Sequence, residues 1–459
     1  MPIRSVSLNE TVIDMTLSDA VYLGLRDNRN IRSAYLARIA QKFDLRVEQD
    51  RFSPKLVLSG RHIANRNQND RYRQTEVLPQ TTMQTQLGTR FSLSWSNELT
   101  SANQAGRSRN DGATFAVIQP LLRGAGRDVT TAPLRLARLS EQANLLNLKA
   151  TVSDTITQII VAYRELLRAQ EQLQIARDAL ARSRQLMDAN RAMIEAGRMA
   201  AFEIVQTEAD AANQELTVEE AANQMDASRL ELLRLLALDL VTPIRAVDLL
   251  DAQRVDMSLP EALRAAQEQQ PAYLTQLIAV EQADINLTVA RNERLWDVSL
   301  VGGANQVRDR YPTEAGRVND RTWEGYAGIQ VDIPIGDLSR RQGEVRARVE
   351  AQNQEIRLAD ARQSLERDVS DAVRNLGARW RQYEIAQRAR DLSRSKLEIE
   401  REKLQAGRSS NFQVISFEAD LRNAENARVN ALIAYLNAQS TLDRTLGTTL
   451  ESWDVDLND

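Results

Sequence analysis

Between Gly126 and Gly302 this 459-residue chain has one glycine, Gly197, and between Pro133 and Pro243 it has no proline. After Pro334 there is no further proline, and after Gly343 only Gly377, Gly407 and Gly447 remain. Such stretches, rich in Ala, Leu, Arg, Glu and Gln, favour helix and contain nothing to end one. The breakers crowd into 52–126 and 296–343, where the pattern shifts to β-type alternation. The chain therefore reads as helix, strands and a very long helical hairpin, then the same order again.

The first long helix carries a seven-residue beat. Leu145, Val152, Ile159, Leu166, Leu173, Leu180, Met187 and Ile194 fall at successive intervals of seven, and small residues (Ala162, Ala169, Ala176, Ser183) follow three places after several of them. A period of seven keeps one seam facing a partner helix and implies left-handed coiling. A helix over 127–195 would extend about 100 Å at 1.5 Å per residue.

An ordinary coiled coil would show the same seam, but the chain also repeats itself. EAGRMAAFEIVQTEAD surrounds Gly197 and QAGRSSNFQVISFEAD surrounds Gly407, an offset of 407 − 197 = 210. The seam recurs at that offset in Val369, Leu376, Tyr383, Leu397 and Leu404, with Arg390 breaking it opposite Leu180. A second pairing, offset 242, aligns MTLSDAV (15–21) with MSLPEAL (257–263). The predicted units are 1–242 (helices 15–52, strands within 55–121, hairpin 127–238) and 243–459 (helices 257–293, strands within 296–335, hairpin 337–447). Segments 239–256 and 448–459 are expected to form equatorial elements.

In the first β segment Leu87, Phe91, Leu93 and Trp95 alternate with Gln86, Arg90, Ser92 and Ser94, and Phe115 and Val117 continue the pattern before Pro120. In the second, Val298 and Leu300 alternate with Asp297 and Ser299, and Trp323, Ile329, Val331 and Ile333 share a face opposite Glu324, Gln330 and Asp332. A half-buried sheet in a soluble domain has the same period. Three of the five tryptophans, Trp95, Trp296 and Trp323, lie in or beside these segments, as an aromatic girdle on a membrane β-barrel would require. Four strands cannot enclose a channel, so a membrane reading needs several chains to pool strands. The polar segments 65–83, 97–112 and 304–321 are expected to be external loops.

Composition narrows the chemistry. With no cysteine and one histidine, His62, the chain cannot form disulfides, use thiol chemistry, or build Cys/His zinc sites. Its 59 Lys+Arg against 63 Asp+Glu create no global field for nucleic acid. No paired carboxylates with an orienting partner suggest acid–base catalysis, no metal or cofactor is expected, and Gly124-Ala125-Gly126 lacks phosphate-loop spacing. His62 is expected at a loop or rim. No apolar run reaches the ~20 residues of a membrane-spanning helix, and the first 20 residues show no leader. The chain is thus either cytoplasmic or begins after a cleaved leader.

Over nearly its whole length the sequence resembles the TolC-like outer-membrane efflux protein family. The duplicated order carries the likeness, together with QPLLRGAGRD (119–128), its counterpart VDIPIGDLSRRQG (331–343), and the AGR turns at 196–198 and 406–408. The resemblance implies a homotrimer whose chains share a 12-stranded outer-membrane β-barrel, continuing into a periplasmic α-helical coiled-coil barrel. It also implies passive export: substrate from an inner-membrane transporter, delivered with a periplasmic adaptor protein, passes through a tripartite efflux or type I secretion system. The expected location is a Gram-negative-type outer membrane, in contact with its lipid. A soluble coiled-coil scaffold or periplasmic adaptor is the alternative, disfavoured by two hairpins with strands at matching places.

In that family the helix turns meet the adaptor, which nominates Gly197, Arg198, Phe202, Gly407, Arg408 and Phe412 for partner contact. Phe202 and Phe412 could instead simply pack the restarted helix. The acidic ring that family members often place after the turn reduces here to Glu203, because the second repeat has Gln413 and Ser416. An exposed helix-surface glutamate is the plainer reading of Glu203.

Overall fold

A computed structural model describes residues 12–66, 68, 70–104, 106–313 and 316–457; residues 1–11, where a leader was sought, lie outside them. In chain order the first elements are β1 (Ile13–Met15), α1 (Leu17–Asp27), α2 (Arg29–Gln49), β2 (Lys55–Arg66), β3 (Arg71–Gln84), β4 (Arg90–Ala102) and β5 (Gly106–Pro120). They lead through a short α3 (Arg127–Thr130) into α4 (Ala132–Glu195) and α5 (Glu203–Leu235), with β6 (Ile244–Ala246) as the joint. The order then recurs as α6 (Leu259–Gln269), α7 (Pro271–Glu293), β7 (Asp297–Thr313), β8 (Gly316–Asp332), α8 (Leu338–Gln405) and α9 (Asn411–Leu446), closed by α10 (Thr449–Ser452).

The duplication extends to single contacts. Thr16 and Asp19 form a capping box at α1, and Ser258 and Glu261, 242 residues later, form one at α6. Each satisfies helix-end N–H groups that would otherwise lack partners. Ala20 and Ala262 are both fully buried, and Gly24 and Ala266 stand at the next turn. A side chain on Gly24 would strike Ile159, its Cβ coming within 2.1 Å of Cδ1, so a small residue is what lets α1 approach α4.

The chain divides into two compact units, 1–38 with 145–274 and 360–459, and 39–144 with 275–359. In the first, the heptad seam is the core: Val152, Ile159 and Leu166 pack with Leu232 and Leu233 of α5 and with Leu236 just past its end. Val369 and Leu376 do the same with Tyr435, Leu442 and Leu446 of α9. Arg164 ties the two hairpins together, donating from α4 to the Leu436 carbonyl and, at 2.9 Å, to Ser440 Oγ. Burial pulls the Arg164 pKa down to about 10 and raises that of Asp443 beside it. β1 and β6 pair in parallel, Ile13 opposite Ile244, which brings the joint between repeats against the chain's start.

The second unit is a six-stranded antiparallel sheet in the order β2-β3-β4-β5-β7-β8, with the adjoining ends of the helices. The length of the first β region, 55–121, leaves room for extra strands or for one long hairpin with an extended loop, and four strands are present. A turn over Thr85–Thr89, in which Gly88 takes φ +96°, inserts a second hairpin. The expected loops 65–83, 97–112 and 304–321 are corrected as well, since β2–β5 and β7–β8 run through nearly all of them. Their polarity marks strands with a polar face, and polar distal ends, where loops were inferred. His62 lies inside β2, its Nδ1 2.9 Å from Thr75 Oγ1.

Candidate functional sites: helix tips and an amphipathic sheet

The two tips are built by the same backbone device. The Arg198 N–H donates to Met193 O at 2.8 Å and the Gly197 N–H to Ile194 O at 2.9 Å. The Arg408 N–H donates to Lys403 O at 2.8 Å and the Gly407 N–H to Leu404 O at 2.9 Å. This double bond pattern ends a helix with a left-handed residue, and both glycines have φ +71°. A Cβ would meet nothing at either glycine, so the requirement is the backbone angle itself, which costs other residues about 1–2 kcal/mol.

Beyond the turns the repeats diverge for a local reason. Ser410 caps α9, its Oγ accepting from the Gln413 N–H at 3.3 Å. Ala200 holds the equivalent place in the first repeat and has no oxygen to offer, and α5 begins only at Glu203. The turns touch through Asn411, nearly fully buried, whose Nδ2 donates to Glu203 Oε2 at 3.3 Å and lies 3.6 Å from Met199 Sδ. Glu203 is thus half-buried and engaged with the second tip, which departs from a fully exposed surface carboxylate. Gln413 and Ser416, on α9, are half-buried.

Phe202 and Phe412 are 75% and 66% exposed, so neither ring packs its restarted helix. Arg198 and Arg408 are also exposed. Behind the tips, ion pairs fix the arms: Arg191 with Glu208 at 3.4 Å and, 210 residues later, Arg401 with Glu418. Arg182 of α4 reaches the same Glu418 at 2.8 Å and binds the two hairpins to each other.

In the sheet unit, residues opposite one another across antiparallel strands share a face. Trp95 stands opposite Ala113, Ala113 opposite Gln306, and Gln306 opposite Trp323. Two of the tryptophans therefore lie in one row, both more than half exposed. Toward the helices this face continues with Leu93, Phe115, Leu300, Ile329 and Val331, and Trp296 stands just before β7. The opposite face carries Ser92, Ser94, Glu98, Asn305, Asp309, Glu324 and Gln330. From Trp296 to Gln306 is ten residues, about 33 Å of strand at ~3.3 Å per residue and about 25 Å of height at barrel tilt, matching the apolar band of membrane barrels.

No helix is long and apolar enough to cross a membrane, and no group of three His, Cys, Asp or Glu residues could hold a metal, among the described residues.

The fold is that of solved outer-membrane channels. Campylobacter jejuni CmeC superposes with a TM-score of 0.69 at 14% identity, over 94% of this chain and 86% of that one. VceC of Vibrio cholerae gives 0.70 at 15%, over 94% and 96%. The open state of Neisseria gonorrhoeae MtrE gives 0.69 at 17%, over 97% and 94%. No curated protein matches the chain in sequence. Residues 262–448 match the model of the outer membrane efflux protein family. The chain is thus similar in sequence to outer membrane efflux proteins over residues 262–448, and in fold to solved outer-membrane channels along nearly its whole length.

Proposed function

We propose that three copies of this chain form the exit duct of a tripartite efflux or type I secretion system. The duct passively conducts substrate from an inner-membrane transporter across the periplasm and outer membrane. The observation that carries this reading is the sheet, whose apolar face between Trp296 and the Trp95–Trp323 row backs onto a polar face. Lipid on one side and water on the other require that segregation.

The sheet cannot stand alone in lipid. Among the described residues β2 and β8 are unpaired along their outer edges, and each unmet backbone group would cost several kcal/mol in hydrocarbon. Six is an even number, so neighbouring strands alternate and β8 of one copy meets β2 of the next antiparallel. Three copies of this sheet then give eighteen strands, against the twelve that the family resemblance implies. Residues 1–242 and 243–459 act as the two repeats of each subunit.

In this assembly Gly197, Arg198, Phe202, Gly407, Arg408 and Phe412 face the periplasmic adaptor. Glu203, Gln413 and Ser416 line the entrance, the Glu203 carboxylate positioned by Asn411. The chain contains no cysteine, so topology can be read by introducing one. Gln104→Cys, at the β4–β5 turn, is expected to react with an impermeant maleimide on intact cells. Arg198→Cys is expected to react only after the outer membrane is permeabilised. Equal reactivity before and after permeabilisation at both positions would defeat the proposal.

A further inference from the structure

The face that is apolar below the tryptophan row becomes strongly basic above it. One row out, Asp111 stands opposite Arg308 and Arg308 opposite Arg321; the next sets Arg109 against Arg310; the next ends in Arg107 and Arg317. Arg107, Arg109, Arg308, Arg310 and Arg317 line one cavity of about 440 Å³, with Leu99, opposite Arg109, also in its wall. The single carboxylate on this patch, Asp111, lies 3.5 Å from Arg109 and 3.9 Å from Arg310. Asn319 accepts from Arg308 Nε at 2.8 Å, and Gln306 accepts from Arg321. Five cavity arginines against one aspartate leave four net positive charges.

Like charges placed directly opposite on neighbouring strands destabilise a sheet, yet Arg109 faces Arg310 and Arg308 faces Arg321. Arg310 Nε is buried and lacks a hydrogen-bond partner, and an orphaned donor of that kind calls for an acceptor. The opposite face of the same strands carries Glu98, Asp309 and Asp320, so the positive charge belongs to the outward face and is no general property of the rim. Every cation in the cavity is arginine, whose planar fork binds phosphate oxygens in pairs. The rows begin two residues beyond the tryptophans, about 7 Å further along the strand, which is headgroup height above an aromatic girdle.

We propose that this cluster binds the phosphate groups of an anionic glycolipid in the outer leaflet. The inference rests on the outer-membrane reading, which supplies the lipid, and adds a ligand to the barrel's outer wall. It predicts that the purified protein retains a diphosphorylated glucosamine lipid, of the lipid A type, at least tenfold better than zwitterionic phosphatidylethanolamine. Native mass spectrometry after incubation with each lipid measures this. The double substitution R109Q/R310Q should lower retention about tenfold, and Arg317→Gln, at an exposed position, should lower it less in the same direction. Arg61→Gln, a charge change on the inward face, should leave it unchanged.

Equal retention of both lipids, or undiminished retention by R109Q/R310Q, would overturn the proposal. So would displacement of the glycolipid by millimolar inorganic phosphate, which would assign the site to free anions. The subunit mass recorded in the same spectra separates the two readings. Trimers that discriminate no lipid refute the lipid site alone, whereas wild-type protein that is monomeric refutes the duct and the site with it.

Discussion

Cysteines introduced along β2 and β8 are expected to join separate chains into covalent dimers and trimers. Ser59, Arg61 and Ile63 on β2 and Thr322, Glu324 and Tyr326 on β8 share the inward face by strand register, so scanning these positions samples the register between copies. Adjacent antiparallel strands hold opposed Cα atoms about 4.5–5.5 Å apart, inside the range a disulfide accepts. A second neighbour lies near 9.6 Å, too far to bridge. Cysteines at Ser92, Ser94 or Ser96 of β4, paired with the same β8 positions, should give only monomers, because β4 is flanked by β3 and β5. With no native cysteine the background is zero.

The reverse pattern, β4 linking to β8 while β2 does not, would mean that the β2–β3 hairpin leaves the sheet and the barrel closes with twelve strands. The difference matters for function. Barrel diameter grows roughly linearly with strand number, so eighteen strands imply an exit about 1.5 times wider than twelve and about twice the area.

The second large effect is expected at the tips. Replacing Phe202 and Phe412 together with Ala should abolish adaptor-dependent export while leaving the trimer and its thermal stability nearly unchanged. Both rings are mostly exposed, so their removal opens no cavity in the free protein. Covering a Phe side chain on association is worth about 1.5–3 kcal/mol, and losing two such contacts weakens docking by roughly 10²–10⁴-fold. Binding of the purified adaptor, followed by calorimetry or interferometry, reads the change. Unaltered affinity would remove the tips from the docking surface, and a large fall in melting temperature would show the rings to be structural.

The sequence showed its helices far better than its strands. Long breaker-free runs and a sevenfold beat point to one structure, and Val152, Ile159 and Val369 are fully buried as that beat requires. Gly197 announced its positive φ as the lone breaker in its helical stretch, and Gly407, which shares its stretch with Gly343 and Gly377, through the repeat at offset 210. The strands were harder to read because each has one polar face, and toward their far ends both faces turn polar. β3 (Arg71–Gln84) therefore looks like a polar loop, and only Gly88 marks the turn that adds its hairpin. The arginine cavity is assembled from positions about two hundred residues apart, joined by the β5–β7 pairing between repeats. Its trace in the sequence is an alternation, Arg107-Ser108-Arg109 and Arg308-Asp309-Arg310, that sets two charges on one face of each strand. Glu203 was legible as an acidic residue after the turn, but its bond to Asn411 depends on the second tip lying against the first.

The central claim is that several chains pool their sheets into one membrane barrel. Its most direct test is the protein mass of the purified particle in mild detergent, by light scattering with the bound detergent subtracted. The expected value is 3 × 51.7 kDa, about 155 kDa, with a substantial micelle around it. A monomer or dimer that stays in solution without detergent and binds none would contradict the shared barrel and return the chain to the soluble coiled-coil scaffold.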